Sequence, residues 1–455
     1  MFGITHDTWK QTCQMYFKLS EGSKKSYLQW FPFSKITADE EKYIASEEFF
    51  EKYIRKAAFV LFPKAMHQSE NFLQKGDGSF RDSSLLSPIL YLVLQAIGKE
   101  ISNYYQPVRN VNIDAFYAGN YDYMRAKYKQ DYDEFYKRIN ANISDCQYFI
   151  KTDVTNFFPN INLDILINQI DKRSNLEGVC FTPTQLKMIK ELLLYCGAGK
   201  FPIIENSTAS SYLATIVYTD EIDNRIYQFI EEKINCISDF KIIRYVDDMY
   251  ILINSSHDIV KLHNAYNQII NEYSSILKEY DLSLNTKKCC LKPAIEINDE
   301  LKKSLYDEYF NGIRHDIEEL FEGKFQEFLD SLLSSLKEDY IDVEHYNSMI
   351  EQHFSSDDIE FTPTEVYNHY IYECEEVIQD SKVISTICKL INTDVSFISL
   401  DPKRLSIMIM KTHSSSAIKA LLNQLFQRNR KGLWNSYDTS IAISYLIQSE
   451  FRHID

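Results

Sequence analysis

Between Ile242 and Ile253 the chain reads IIRYVDDMYILI: apolar and aromatic residues run up to two adjacent aspartates and run away from them at once. That pattern specifies two short β-strands joined by a tight turn, with Asp247 and Asp248 at its tip. Aspartate is common in turns because its side chain bonds nearby backbone and tolerates unusual φ/ψ. An ordinary hairpin therefore accounts for one of the two. Two adjacent carboxylates repel, and a turn needs only one. A site for a divalent cation wants both, because Mg²⁺ takes oxygen ligands in octahedral geometry. The metal reading then requires a third carboxylate from elsewhere.

The stretch Tyr148 to Asn160, YFIKTDVTNFFPN, supplies it. Tyr148, Phe149 and Ile150 read as a buried strand with Asp153 at its end. Phe157 and Phe158 follow, and Pro159-Asn160 opens a turn into an amphipathic helix marked by Ile161, Leu163, Ile165, Leu166 and Ile170. A strand, then D-x-x-x-F-F, then Y-V-D-D between strands roughly 90 residues later resembles the palm of a reverse transcriptase. The resemblance implies that Asp153, Asp247 and Asp248 are catalytic and hold Mg²⁺ (or Mn²⁺), with the backbone carbonyl of Val154 as a further metal ligand. Three carboxylates crowded together also predict at least one raised pKa.

Other segments carry the same resemblance. Lys75 to Arg81, KGDGSFR, is on its own a glycine-containing surface turn. In a polymerase it fits the fingers hairpin that grips a triphosphate, with Lys75 as a point charge and Arg81 as a bidentate donor. Ser87-Pro88 predicts a helix start, with Ser as N-cap and Pro in the first turn. The following ILYLVLQAIGKEI is apolar nearly all round, so that helix is predicted to be buried. Phe158, five residues after Asp153, is the position at which an aromatic in the family blocks a 2′-hydroxyl, which favours deoxynucleotides; the bland reading makes Phe157 and Phe158 plain core. Ser210 to Ala214 match the S-x-x-L-A of the helix beneath template and nucleotide, and the resemblance places Ser210 and Tyr245 at the nucleotide. Most reverse transcriptases have Gly before this region so that backbone approaches the nucleotide closely. Here Asn206 stands near that position. The pattern I-E-N-S-T-A-S looks like the abortive-infection class of bacterial antiphage reverse transcriptases. Residues 257–280 predict an amphipathic helix. The segment from Asp281 to Lys288 matches L-x-L-N-x-x-K, which puts Lys288 by the phosphates; the alternative is an exposed lysine in a turn.

Composition sets the remaining bounds. The 455 residues suggest two or three domains. Only 12 Gly and 10 Pro among them predict mostly helix with short loops. No stretch approaches a membrane span and the N-terminus lacks an apolar signal core, so the expectation is a soluble cytoplasmic protein with free buried thiols and no membrane partner. The net charge of −16 sits awkwardly with phosphate binding, but it is uneven. Residues 1–151 hold 20 basic and 18 acidic side chains; residues 296–455 hold 15 and 29. The acidic part is therefore not expected to be a duplex-binding surface. The Tyr- and Asp-rich residues 103–147 read as half-buried packing rather than as base-stacking rings.

From about Asp299 onward only helical spacing is legible. The expected fold is α+β: right-hand-like polymerase fingers and palm over 1–295, followed by an all-α HEAT-like helical domain over 296–455. The HEAT-like array rests on the resemblance, as does Leu433-Trp434-Asn435-Ser436-Tyr437-Asp438. No carboxylate cluster suited to RNase H, and no zinc or integrase signature, is legible. The resemblance implies an antiphage defence polymerase that adds deoxynucleotides by two-metal nucleotidyl transfer without a template. It further implies priming from a protein hydroxyl, a single-stranded DNA product attached through a Tyr, and a homo-oligomer. The alternatives are conventional reverse transcription on a dedicated partner RNA and a non-catalytic nucleotide-binding assembly.

Overall fold

The computed structural model describes residues 1–19, 24, 31–74, 80–117, 128–174, 181–255, 259–304, 321, 323–338, 341–354, 366–367, 369–434 and 438. The chain divides into two compact units, one of residues 1–69 and 83–301, the other of residues 70–82 and 302–455.

The first unit is built on a five-stranded sheet. Its strands are β3 (Ile113–Phe116), β4 (Tyr148–Thr152), β6 (Asp239–Tyr245), β7 (Asp248–Asn254) and β9 (Cys290–Pro293), in the order β3-β6-β7-β4-β9. All pairs are antiparallel except β3 with β6. Two short strands, β5 (Val154–Thr155) and β8 (Ser283–Leu284), pair separately. A separate two-stranded hairpin pairs β1 (Gln68–Gln74) with β2 (Phe80–Leu86), and its residues 70–82 are counted with the second unit.

Both faces of the sheet are covered, which is why its strands read as near-continuous apolar runs. Ile150, Ile242, Met249, Ile251 and Ile253 point into the main core. The alternate residues Phe149, Ile243, Tyr250 and Leu252 pack with Phe135 and Ile139 of the helix Tyr128–Ile143, and with Ile297 and Leu301. The period-2 side-chain alternation of a strand produces this division. It also carries the first unit to Leu301, since Ile297 and Leu301 belong to the core of the sheet.

Helix Pro88–Tyr104 lies at the centre of the main core, with 11 of its residues buried. Ser87 caps it, its hydroxyl accepting from Leu90 N at 3.2 Å, and Pro88 stands in its first turn, as predicted. The first sixty residues, uninformative as sequence, contribute helix His6–Phe17 to this core. Trp9 and Tyr16 are fully buried there, and the Tyr16 ring meets Tyr91 edge-on at 5.2 Å.

The second unit is helical where it is described beyond Lys302. Its longer helices are Lys324–Glu338, Val343–Phe354, Ser381–Thr393, Pro402–Lys411 and Ser415–Arg430. Ser381–Thr393 packs against both Lys324–Glu338 and Ser415–Arg430. Asp380, Asp401 and Ser414 cap the last three helices. The core is rich in aromatic rings, Phe321, Phe325, Phe328, Phe354 and Tyr370 among them. The helix expected over the last apolar stretch, 439–450, lies outside the described residues, as do Asn435, Ser436 and Tyr437.

Two expectations need correction. Of the eight described cysteines, all free, only Cys13 and Cys196 are buried; the other six are half-buried. The sequence from Ser207 does not form one regular helix either. Thr208–Tyr212 is α-helical and Leu213–Tyr218 widens into a π-helical turn, an insertion of the kind that often marks functional segments. No described helix is long and apolar enough to cross a membrane.

Candidate active site

Strands β6 and β7 form the predicted hairpin. Tyr245 pairs with Asp248, so Val246 and Asp247 are its two loop residues. Val246 takes a left-handed conformation, φ +55°, which is strained for a β-branched residue. Two-residue hairpin loops need positive φ because their twist must match that of the strands. The strain is held from both sides: Val246 N donates to Phe116 O at 3.1 Å, and Val246 O accepts from Arg244 Nη1 at 3.3 Å.

Register brings the third carboxylate to the same end of the sheet. Strand β4 pairs with β7 through Thr152 opposite Met249. Asp153 follows directly on the end of β4 and Asp248 begins β7, so continuing this register by one residue past the ladder brings Asp153 beside Asp248. Like charges close together repel, and this adds to the effect of burial at Asp248. Burial, then the charge of Asp247, and after these that of Asp153, push its carboxyl up to about 7, against the pull of Lys151 and Lys288. The raised pKa expected of three crowded carboxylates thus falls on Asp248.

Lys288 belongs to the site. Its Nζ lies 3.4 Å from Asp153 Oδ1, with most of its side chain exposed. The main chain holds it there: Asn285 N donates to Asp153 O at 2.8 Å, and Lys288 N donates to Asn285 O at 3.0 Å. The segment L-x-L-N-x-x-K therefore docks directly on the aspartate. Val154 sits in β5, paired with Leu284 of the same segment, and is buried.

The carboxylates are not gathered on one point. Among the described residues no three His, Cys, Asp or Glu side chains form a group that could hold a metal ion as they stand. The expected cluster is in that sense incomplete, and Lys288 engages Asp153 instead. The donor chemistry nevertheless fits a hard divalent cation: three carboxylates and a main-chain carbonyl, at one sheet end, with excess negative charge that raises one of their pKa values.

The residues expected around a nucleotide divide into several groups. Phe157 is buried core, whereas Phe158 is half-buried, edge-on to Phe157 at 5.3 Å and stacked on Phe201 at 6.3 Å. Asn206 has φ +55°. An asparagine tolerates the left-handed region better than most residues, so it supplies here the conformation for which a glycine would otherwise be needed. Its carbonyl accepts from Tyr91 OH at 3.0 Å. Ser210 is buried in the first turn of Thr208–Tyr212, capped by Ser207, whose hydroxyl also accepts from Gln95 at 2.8 Å. Tyr245 lies against Phe135; burial, then Asp131, Asp247 and Asp248, push its hydroxyl pKa up. Lys75 lies outside the described residues. Arg81 is on β2, and its side chain lies outside them too.

Two cations went unnoticed in the sequence. Lys151 is buried on the same strand face as Asp153, 3.2 Å from Glu300 Oε1, and Lys292 bonds the other oxygen of Glu300 at 2.6 Å. Arg244 is fully buried and makes a forked pair with Asp223. The legible signal was the period: Arg244 falls between Ile242 and Val246 on the apolar face of its strand.

Comparison with known proteins places most of the first unit in a family. Residues 73–298 match the family described as Reverse transcriptase (RNA-dependent DNA polymerase). Residues 317–455 match a family described as a domain of unknown function. No curated protein matches the chain. Among solved structures, it is similar to telomerase from Candida tropicalis in complex with a telomeric RNA fragment, at 10% identity and TM-score 0.34, covering 79% of this chain and 64% of that one. Telomerase from Candida albicans with the same kind of fragment follows at 12% and 0.26, covering 65% and 52%. Apo telomerase from Candida tropicalis also matches at 12% and 0.26, covering 69% and 56%. The chain thus spans about half to two thirds of the length of these structures. Asp153, Asp247, Asp248 and Lys288 all lie within the matched 73–298 segment, and over that segment the chain carries a domain of the reverse transcriptase family.

Proposed function

We propose that the chain is a DNA polymerase of the reverse transcriptase type that adds deoxynucleotides by metal-dependent nucleotidyl transfer. The observation that carries this reading is the register that brings Asp153 beside Asp248 at the Val246–Asp247 turn, with Lys288 tethered to Asp153. Asp153, Asp247 and Asp248, with the Val154 carbonyl, would hold Mg²⁺ or Mn²⁺, which when bound activates a hydroxyl nucleophile and neutralises phosphate charge. The chain's own contribution is positioning and electrostatics. Asp248 must give up its proton, held to about 7, before it acts as a ligand. Lys288, exposed and free to swing, trades Asp153 for a phosphate oxygen. Phe158, held by Phe157 and Phe201, closes the space beside a sugar and rejects a 2′-hydroxyl.

The finer reading is untemplated, protein-primed synthesis in antiphage defence, in a homo-oligomer whose HEAT-like helical unit is not a duplex clamp. Its support is the I-E-N-S-T-A-S pattern and the 29 acidic against 15 basic residues of 296–455. One observation favours templated synthesis on RNA instead: Asn206 keeps the left-handed backbone that a glycine would give, so the turn near the family glycine's place is retained.

The test is incubation of purified protein with Mg²⁺ and each labelled deoxynucleotide, with and without an RNA template and primer, and with Asp247→Asn as control. Products are run on denaturing gels before and after protease. Label that travels with the protein and is released by protease, without added nucleic acid, supports the finer reading. Label only with template and primer selects the templated one. No incorporation under either condition defeats both.

A further inference from the structure

Behind the aspartate turn lies a continuous buried ionic network that the catalytic reading does not use. Arg244 donates from Nε to both oxygens of Asp223 at 3.0 Å, and from Nη2 to Asp223 Oδ1 at 2.5 Å and Tyr273 OH at 2.9 Å. Asp223 also accepts from Arg109 Nη1 at 2.9 Å. Arg109 continues to Asp220 at 3.4 Å, which Tyr105 OH reaches at 3.1 Å and Arg173 at 3.8 Å. Arg244 and Asp223 are fully buried.

One donor of Arg244 leaves this network. Its Nη1 bonds Val246 O, the carbonyl of the peptide that enters Asp247. With Phe116 O on Val246 N, both polar groups of the strained residue are fixed. The guanidinium thus joins the turn to helix Asp220–Lys233 through Asp223 and to helix Ile259–Glu279 through Tyr273. A two-residue hairpin does not need this. An apolar residue at 244 would pack between Ile242 and Val246, and buried ion pairs give little net stability over apolar residues of similar volume. What a planar fork with fixed donors gives that an apolar residue cannot is a defined orientation for one carbonyl.

We infer that Arg244 is a positioning residue: anchored by Asp223 and Tyr273, it sets the Val246–Asp247 peptide and thereby the affinity of the aspartate site for a divalent cation. The inference rests on the polymerase reading for the role of the site, but its test does not depend on activity.

The experiment titrates the full-length protein with Mn²⁺ by electron paramagnetic resonance, without nucleotide. The relevant site is defined as the one that Asp247→Asn removes. Arg244→Lys keeps the charge but loses the fork, and is expected to weaken Mn²⁺ binding about tenfold, the usual size for an outer partner of a metal ligand. Tyr273→Phe removes one hydroxyl and is expected to weaken it less, in the same direction. Thermal melting of each variant verifies that it is folded. A folded Arg244→Lys with native Mn²⁺ affinity overturns the inference, because a merely structural network changes melting alone. If Arg244→Lys does not fold, Tyr273→Phe decides by the same comparison. A native chain with no Mn²⁺ site sensitive to Asp247→Asn overturns it too. Failure of the polymerase reading is a separate result, Mn²⁺ bound but no deoxynucleotide incorporated, and the Mn²⁺ comparison still decides the role of Arg244.

Discussion

Asp223 and Asp248 flank the same turn, yet the protein treats their carboxyls in opposite ways. Burial works against the charge of each. At Asp223 the guanidinium of Arg244, then that of Arg109, offsets burial, and the carboxyl is held below its ordinary value. At Asp248 the neighbours add to burial: Asp247 and Asp153 are themselves acidic, and the carboxyl is pushed up to about 7. Partners thus reverse the effect of burial at Asp223 and reinforce it at Asp248, whereas at Asp220 burial outweighs Arg109, Tyr105 and Arg173 and the carboxyl is raised. Behind the turn the chain sets two guanidinium groups against Asp223. At the tip it supplies too few countercharges, and the tip is where a cation would bind.

The largest effects should separate the two regions by kind. Asp153→Asn and Asp247→Asn are each expected to lower deoxynucleotide incorporation by about a thousandfold or more, the scale of several kcal/mol of transition-state stabilisation, with no loss of melting temperature. Asp223→Asn should do the reverse. It leaves Arg244 and Arg109 short of a buried countercharge, and losing one partner of a buried pair costs about 3–5 kcal/mol. Denaturant titration with incorporation assays on the folded fraction measures both. An Asp223→Asn protein as stable as the native one would break the comparison.

A pH scan tests the same contrast more finely. An unfolded aspartate titrates near ~3.9, whereas folded Asp248 titrates at about 7. Between those values the folded state holds the extra proton. The contribution of Asp248 to stability is therefore favourable at low pH, is lost as pH rises through this window, and is constant above it. Asp223, held low, contributes in the opposite sense: its stabilisation is present above the unfolded value and is lost as pH falls through its own folded value. Metal-free calorimetry from pH 4 to 8 should show Asp248→Asn gaining stability over the native chain as pH rises, then levelling. Mg²⁺ should raise the native melting temperature at pH 8 and have little effect at pH 5.5, where a proton holds the ligand. A difference between variant and native chain that is flat across the range would show that the Asp248 carboxyl is not raised.

The two regions were not equally legible in the sequence. The tip was open to reading because turn chemistry and period-2 patterning are local: YVDD between apolar runs, and Asp153 at a strand end, fix strand, turn and face within a dozen residues. The network was not, because its members come from three helices, one strand and a loop. Arg109, Arg173, Asp220, Asp223, Arg244 and Tyr273 meet only after helices and sheet have packed. An arginine on the apolar face of β6 was the one local clue. Asn206 lies between the cases: its place near a family glycine could be read from sequence, but its φ of +55° shows the change of residue keeps the backbone. The first sixty residues read as helical in pattern, but the buried face of the helix His6–Phe17 was not legible, because its mixed residues show that face only against Pro88–Tyr104.

The smallest effect is the most discriminating. Val246 holds φ +55° with a β-branched side chain, a strain of order 1–2 kcal/mol that glycine would relieve. Against this, Val246→Gly adds about 0.5–1 kcal/mol of unfolded-chain entropy and gives up a buried side chain worth about 1.5 kcal/mol. The losses exceed the relief by about 1.5 kcal/mol at most, so melting should fall only by a few degrees. Metal affinity need not follow. If the turn is set by its own strained residue, Mn²⁺ binding should weaken several-fold in Val246→Gly while stability stays near native. If Arg244 and Phe116 set it through the hydrogen bonds on either side, the glycine turn keeps both bonds and binds Mn²⁺ as before. The present geometry favours the second outcome, because both polar groups of residue 246 are main-chain atoms that glycine retains.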